Sequence, residues 1–139
     1  MTTVATDGMA MAADTRMGGE TLYGHISKLM LADDGAILGW AGQAFDGRGF
    51  LAWYNGRCEG VPDVSDDFEG LILQSDGVIL NVNEKGRWFV HPSPAVIGSG
   101  CGFALGALDA GATLVEAVQI AIGRDGFSSG TVEMMSIGT

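Results

Sequence analysis

The first residue whose chemistry is of interest is Thr2. An initiator methionine before a small residue is expected to be removed, which would give Thr2 a free α-amine. Such an amine has a pKa of roughly 7.7–8.0 and lies within reach of the hydroxyl of its own residue. A threonine at the start of a chain therefore carries both a nucleophile and a base. Because many proteins begin with Met-Thr, this feature alone does not establish a reactive site.

A second candidate is the glycine-rich segment Gly98–Gly102, at the start of a predicted helix, where backbone N–H groups can bind phosphate. The segment lacks the lysine and the spacing of a P-loop, and a dinucleotide fingerprint would lie near the first strand. Cys58 and Cys101 form no C-x-x-C pair, and His25 and His91 show no metal-ligand spacing. We therefore expect free thiols, no metal and no organic cofactor.

Charge and composition limit the classes of partner that the protein is expected to bind and the compartment in which we expect it. The 139 residues include 17 acidic and 7 basic side chains, which argues against nucleic acid because phosphate binding needs a basic surface. No apolar run approaches the roughly 20 residues that cross a bilayer. The N-terminal segment has neither a basic leader nor a long apolar core. We expect a single domain over residues 1–139, without its initiator methionine, in the cytoplasm and with no membrane partner.

The first two thirds of the chain predict strands joined by tight turns. Asp-Gly turns separate short apolar runs, which indicates hairpins. Arg16–His25 contains Gly18-Gly19 and is predicted to be a loop. Mixed helical spacing predicts a short helix over residues 43–54, and the polar segment 56–67 is predicted to be a loop. The predicted strands are Val4–Ala5, Met9–Ala13, Lys28–Leu31, Ala36–Ala41, Phe68–Leu73, Val78–Val82 and Trp88–Val90.

The last third predicts two helices and a strand. The first helix covers Gly102–Ala110, with Phe103 on a buried face, and ends at Gly111 as a C-terminal cap. Thr113 and Glu116 have the spacing of a capping box, so a second helix begins there and runs to about residue 123. A final strand is expected over 131–137. Strands grouped apart from helices indicate an α+β fold. The apolar stripe of the second helix is Leu114, Ala117, Val118 and Ala121.

Six short blocks occur in the same order, over nearly the whole chain, as in one known family. Together they resemble the proteasome β-subunits and their bacterial relatives, the HslV peptidases. The blocks are Thr2-Thr3-Val4, Ala12-Ala13-Asp14-Thr15-Arg16, Ser27-Lys28-Leu29, Trp40-Ala41-Gly42, Ile97-Gly98-Ser99-Gly100 and Arg124-Asp125-Gly126-Phe127-Ser128-Ser129-Gly130.

The resemblance implies a fold, an activity and partners. The implied fold is the four-layer αββα sandwich of the N-terminal nucleophile hydrolases, here with a reduced first helical layer because only one short helix fits between residues 42 and 68. The implied activity is that of a threonine-type endopeptidase in a homo-oligomeric ring, which takes peptides or unfolded proteins from an ATP-dependent unfoldase. The short chain is typical of a compact bacterial or phage-type relative.

The resemblance also implies roles for individual residues. Thr2 corresponds to the nucleophile, and Lys28 to the lysine beside it, whose ammonium favours deprotonated forms of the nucleophile. Asp14 corresponds to the acid that pairs with this lysine. Gly42 corresponds to the residue whose backbone N–H forms the oxyanion hole. A supporting network around the threonine amine is implied for Ser99, Asp125 and Ser128.

A specificity pocket beside Thr2 is implied by the same correspondence. We hypothesise that the large Trp40 partly fills it, so that small or medium side chains are favoured before the cleaved bond. The implied pocket residues are Ile26, Met30, Trp40, Ala44 and Arg48.

Two alternative functions stay open. The chain could be a catalytically silent structural subunit with the same fold, which a retained Met1 would favour and the joint presence of Thr2, Asp14, Lys28 and Gly42 argues against. It could also be an amidase of the same superfamily that acts on small molecules, although the Lys28 strand fits a peptidase better.

Overall fold

The computed structural model describes residues 2–17, 24–125 and 131–138. Within these ranges the chain forms eleven strands and three helices. The strands are β1 (Val4–Thr6), β2 (Ala10–Ala13), β3 (Arg16–Met17), β4 (Gly24–His25), β5 (Leu29–Leu31), β6 (Ile37–Ala41), β7 (Glu69–Leu73), β8 (Ile79–Asn83), β9 (Trp88–His91), β10 (Ala95–Ile97) and β11 (Glu133–Ser136). The helices are α1 (Asp46–Asn55), α2 (Cys101–Asp109) and α3 (Leu114–Arg124).

Two antiparallel sheets face each other across an apolar core. One has the strand order β10-β1-β2-β11 and the other the order β5-β6-β7-β8-β9, while β3 and β4 form a separate ribbon. Alternate side chains of a strand point to opposite faces of its sheet. Val4 and Met11 of the first sheet therefore meet Leu71 and Leu73 of the second in one buried cluster.

Helices cover the two outer faces. On the four-stranded sheet, Ala5 and Ala12 contact α3 through Val118, and their small side chains let the helix pack closely. On the five-stranded sheet, Leu38 packs in a cluster with Phe50 of α1. The result is the α+β sandwich expected from the sequence, with one helix on one side and two on the other. None of the three described helices is long and apolar enough to cross a bilayer.

The predictions for the hairpin turns, the helix caps and the apolar stripe of α3 are confirmed. All three Asp-Gly hairpins form, with β1 paired to β2, β5 paired to β6 and β7 paired to β8. Gly111 follows α2 with a φ of +100°, the left-handed conformation that a glycine after a helix adopts readily. The Thr113 side chain accepts from the Glu116 N–H, and the Glu116 carboxylate accepts from the Thr113 N–H, so the capping box is complete. The predicted apolar stripe of α3 is buried.

Two predictions on the elements are wrong, and one strand was missed. The segment Arg16–His25 is not simply a loop, because its two ends pair as β3 and β4, which are two residues long and carry no periodic signal. Strand β10 was not predicted, because three residues after a proline show no alternation. Phe103 is 46% exposed, since α2 is apolar on every side and its pattern does not tell which face is buried.

Candidate active site

Hairpin register places a carboxylate beside Thr2. Strands β1 and β2 pair with Val4 opposite Ala13, so Thr3 and Asp14 follow as neighbours at the end of the hairpin. The Asp14 N–H donates to the Thr3 carbonyl at 3.2 Å, and the Thr3 N–H donates to Asp14 Oδ1 at 3.0 Å. The Thr2 hydroxyl also donates to Asp14 Oδ1. The hairpin alone therefore brings the threonine and the acid together.

The facing sheet supplies the lysine. Lys28 lies just before β5, and its Nζ donates to Asp14 Oδ1 at 2.9 Å and also to the Thr2 hydroxyl. All three residues are buried, with exposed fractions of 2% for Thr2, 0% for Asp14 and 5% for Lys28. The predicted nucleophile, lysine and acid thus form one contact group between the two sheets.

Burial and charge act on Lys28 in opposite directions. Burial lowers the pKa of its ammonium below the ordinary value, and the Asp14 carboxylate beside it opposes that shift. A buried carboxylate is tolerated when charged and polar donors surround it. Asp14 meets this condition through Lys28, Thr2 and the Thr3 N–H. The group can therefore hold a threonine hydroxyl between a cation and an anion in a water-poor setting.

A second group of contacts surrounds the main chain of Thr2. The Gly100 N–H donates to the Thr2 carbonyl at 3.3 Å, and the Ser99 hydroxyl lies 3.4 Å from the same oxygen. The Ser99 hydroxyl donates to the Asp125 carboxylate at 2.6 Å. Gly98 has a φ of +95°, and a Cβ on it would lie 2.0 Å from the Thr2 carbonyl oxygen. Glycine is therefore needed for this close approach.

Gly42 and Ser128 complete the predicted catalytic residues. The Trp40 N–H donates to the Lys28 carbonyl at 3.3 Å, so Gly42, two residues further on, lies at the end of β6 nearest Lys28. Gly42 has a φ of +140°, a conformation that favours glycine. The prediction for Ser128 falls outside the described residues.

Three of the predicted pocket residues share one apolar cluster. Ile26, Met30 and Trp40 pack with residues of α1. Trp40 is 5% exposed, and its Nε1–H donates to the Gln43 carbonyl at 3.1 Å. A Cβ on Gly47 would lie 2.7 Å from the Trp40 ring, so the indole lies directly against α1.

The other two predicted pocket residues are exposed. Ala44 precedes α1 and Arg48 lies in its first half. Arg48 lines a cavity of about 560 Å³ between α1 and the segment 59–63. Thr2, Asp14 and Lys28 do not line this cavity. The residues that line it together with Arg48 are Phe45, Gly49, Ala52, Trp53, Glu59, Val61, Pro62 and Asp63.

Two residues near Gly42 carried no prediction from the sequence. Asp46 is fully buried at the start of α1 and accepts hydrogen bonds from the backbone of Gln43 and Ser65. The available signal was an acid in the first turn of a predicted helix, where the helix dipole favours negative charge. No local pattern pointed to Ser65, because it approaches from the loop before β7.

Comparison with known proteins identifies the fold. No protein-family model matches the sequence, and no curated relative matches it. Thiobacillus denitrificans BPH is similar over 99% of this chain and 98% of its own, with a TM-score of 0.71 and 19% identity. Its complex with epoxomicin is similar at TM-score 0.71 and 16% identity, over 99% of both chains. HslV of Trypanosoma brucei is similar over 96% of this chain and 97% of its own, with a TM-score of 0.68 and 18% identity.

These likenesses cover essentially whole chains. The resemblance to HslV-type proteins is thus confirmed at the level of the fold, because the chain has the α+β sandwich of HslV and of BPH.

Proposed function

We propose that the protein is a threonine-type endopeptidase whose nucleophile is Thr2, which becomes the first residue when Met1 is removed. One observation carries the proposal: the buried Thr2 hydroxyl contacts both Lys28 Nζ and Asp14 Oδ1. A fold shared with HslV, and with a protein that binds epoxomicin, supports the same chemistry. The alternative of a silent subunit gains no support from this contact group, because a purely structural role does not require a buried lysine on a threonine hydroxyl.

The first step is acyl transfer to Thr2. Its Oγ1 attacks the carbonyl carbon of the substrate amide, and the hydroxyl proton passes to the free α-amine of the same residue, directly or through a water. The Lys28 ammonium lowers the energy of the developing alkoxide, and Asp14 holds Lys28 in place. The oxyanion of the tetrahedral intermediate is stabilised by the Gly42 N–H. Collapse of the intermediate breaks the C–N bond, and the leaving amine takes the proton from the α-amine.

The second step is hydrolysis of the acyl-enzyme, which regenerates free Thr2. Water attacks the ester on Thr2, and the α-amine takes the proton of that water. The acid product leaves, and the proton returns to Thr2 Oγ1. Ser99 and Asp125 act on the main chain of Thr2, because the Ser99 hydroxyl lies between the Asp125 carboxylate and the Thr2 carbonyl. Ser128 is proposed to join this network.

The proposed substrates are peptides or unfolded proteins, cleaved inside a homo-oligomeric ring and delivered by an ATP-dependent unfoldase. The fold of HslV is the support for this arrangement. The implied pocket of Ile26, Met30, Trp40, Ala44 and Arg48 is proposed to favour small or medium side chains, because the Trp40 indole occupies the space against α1. A cytoplasmic location stays a prediction.

Peptide hydrolysis by variants of Thr2 tests the proposal. The assay uses fluorogenic peptide amides of small, medium and large side chain at the cleaved bond. We expect Thr2→Ala to abolish turnover and Thr2→Ser to keep part of it, since serine retains the hydroxyl. Thr113→Ala is the matched control, because Thr113 caps α3 and contacts Glu116. Equal turnover by Thr2→Ala and wild type would rule out Thr2 as the nucleophile, and preference for large side chains would rule out the pocket.

A further inference from the structure

A buried carboxylate beside the proposed oxyanion hole has no part in the mechanism above. Asp46 is the first residue of α1 and is 0% exposed. Charged side chains are almost never fully buried unless they are paired or hydrogen-bonded. Asp46 Oδ2 accepts from the Gln43 N–H at 2.8 Å, and Oδ1 accepts from the Ser65 N–H at 2.8 Å. The Ser65 hydroxyl adds a contact of 2.5 Å to Oδ2.

The contact with Gln43 fixes a peptide group. The Gln43 N–H belongs to the peptide that joins Gly42 to Gln43, so its hydrogen bond to Asp46 sets the plane of that peptide. The Gly42 N–H belongs to the preceding peptide, which joins Ala41 at the end of β6 to Gly42. Asp46 therefore acts on this N–H through the Gly42 Cα that the two peptides share. Gly42 has a φ of +140°, and a Cβ on it would lie 2.5 Å from Asp46 Oδ2 and 3.2 Å from the Phe68 Cα. The turn thus packs directly against the carboxylate on one side and the backbone of Phe68 on the other.

The loop before β7 also holds the Asp46 carboxylate in place. Ser65 lies in the loop before β7, and its hydroxyl bridges Asp46 Oδ2 and Asp67 Oδ1, the latter at 2.6 Å. The Gln43 side-chain amide donates to Asp67 Oδ2 at 3.2 Å. Asp46, Ser65, Asp67 and Gln43 therefore form a closed ring of contacts that joins the loop after β6 to the loop before β7.

We propose that Asp46 is a positioning residue for the oxyanion hole, which holds the Gly42–Gln43 turn so that the Gly42 N–H meets the oxyanion of the tetrahedral intermediate. The inference rests on the proposed function and goes beyond it by assigning the device that orients Gly42. An N–H that is oriented for the oxyanion acts mainly in the transition state. Loss of the device therefore lowers kcat and leaves KM close to its wild-type value.

The test compares Asp46→Asn with wild type in the processed, assembled protein. Asparagine keeps the shape but replaces one acceptor oxygen by an N–H₂ group, so it cannot accept from both Gln43 and Ser65. We expect kcat for a peptide amide to fall about 10²-fold, as for a misplacement of roughly 1 Å. The affinity for a peptide boronate should fall by a similar factor, because its tetrahedral adduct places an oxygen where the oxyanion forms.

Two further variants make the test specific. Ser65→Ala removes the hydroxyl brace and keeps the Ser65 N–H contact, so kcat and boronate affinity should fall less than for Asp46→Asn. It also serves as the test if Asp46→Asn does not fold, which thermal unfolding would reveal. Asp66→Asn is the matched control, because Asp66 is an exposed acid of the same connection and should leave kcat unchanged.

The outcomes separate the two proposals. A wild-type protein that neither hydrolyses peptides nor binds the boronate would overturn the proposed function and the role of Asp46 with it. An active wild type with folded Asp46→Asn and Ser65→Ala variants of unchanged kcat and boronate affinity would overturn the role of Asp46 alone. Activity that falls only in proportion to the folded fraction would likewise overturn it.

Discussion

At the scale of single residues, one oxygen of the Asp14 carboxylate is the shared hydrogen-bond acceptor of the site. Its Oδ1 accepts from Lys28 Nζ at 2.9 Å, from the Thr3 N–H at 3.0 Å and from the Thr2 hydroxyl. Burial of the acid and the lysine costs free energy that their attraction and hydrogen bonds must offset. The two contacts on the Thr2 hydroxyl hold Oγ1 in place, and each partner of the buried pair depends on the other.

We therefore expect Lys28→Met to lower the stability of the fold as well as the proposed activity. The substitution takes the ammonium partner from a fully buried carboxylate, and breaking a buried pair from one side costs roughly 3–5 kcal/mol. We expect urea unfolding to show a loss of this order. The double variant Lys28→Met/Asp14→Asn should recover part of the loss, because no buried charge is left without its partner. A single variant as stable as wild type would contradict the burial of the pair.

The lowered pKa of Lys28 predicts a pH dependence of stability. Burial is the main cause of the shift, so the unfolded chain binds this proton more tightly than the folded chain. The free energy of unfolding should therefore rise with pH between the lowered folded pKa and the unfolded value of about 10.4. Below that window both states are protonated, and the contribution is constant. Urea unfolding of wild type and Lys28→Met across alkaline pH tests this, since the rise should be smaller in the variant; parallel curves would contradict it.

At the scale of elements, the capping box at the start of α3 stabilises the layer that covers the four-stranded sheet. Thr113→Ala removes the side-chain acceptor for the Glu116 N–H and should lower the free energy of unfolding by about 1 kcal/mol. Thr113→Ser keeps the acceptor and should stay close to wild type. Equal urea midpoints for all three proteins would show that the cap does not contribute.

The same element shows what a sequence reveals. Thr113 and Glu116 are three residues apart, and an Asp-Gly turn is two residues long. The capping box and the hairpins can therefore be predicted from neighbouring residues in the sequence. Lys28 and Asp14 lie on different sheets, and no spacing brings them together; only the likeness of the blocks to a family predicted that pair. Asp46 and Ser65 were missed because their contact joins the start of α1 to the loop before β7 and depends on the tertiary fold. Phe103 was misassigned because periodicity cannot orient a helix that is apolar on every side.

At the scale of the whole molecule, exposed apolar surface predicts assembly. Strand β9 is one of the two edges of the five-stranded sheet, and its consecutive residues Trp88, Phe89 and Val90 are 55–62% exposed. Such an edge is covered in stable assemblies. We expect native mass spectrometry to show a closed oligomer, and Phe89→Asp to weaken it, while Met9→Asp at an exposed hairpin turn does not. A monomeric wild type would contradict the ring, and an intact Phe89→Asp oligomer would exclude β9 from its contacts.

The most direct test of the central claim is the intact mass of the purified protein before and after incubation with a peptide epoxyketone. The proposed mechanism requires a free Thr2 amine and a reactive Thr2 hydroxyl in the same molecule. It predicts loss of Met1 and one adduct per chain, which is absent in Thr2→Ala and present in the matched Thr113→Ala control. A folded protein that has lost Met1 and forms no adduct, or an adduct that persists in Thr2→Ala, would contradict Thr2 as the nucleophile.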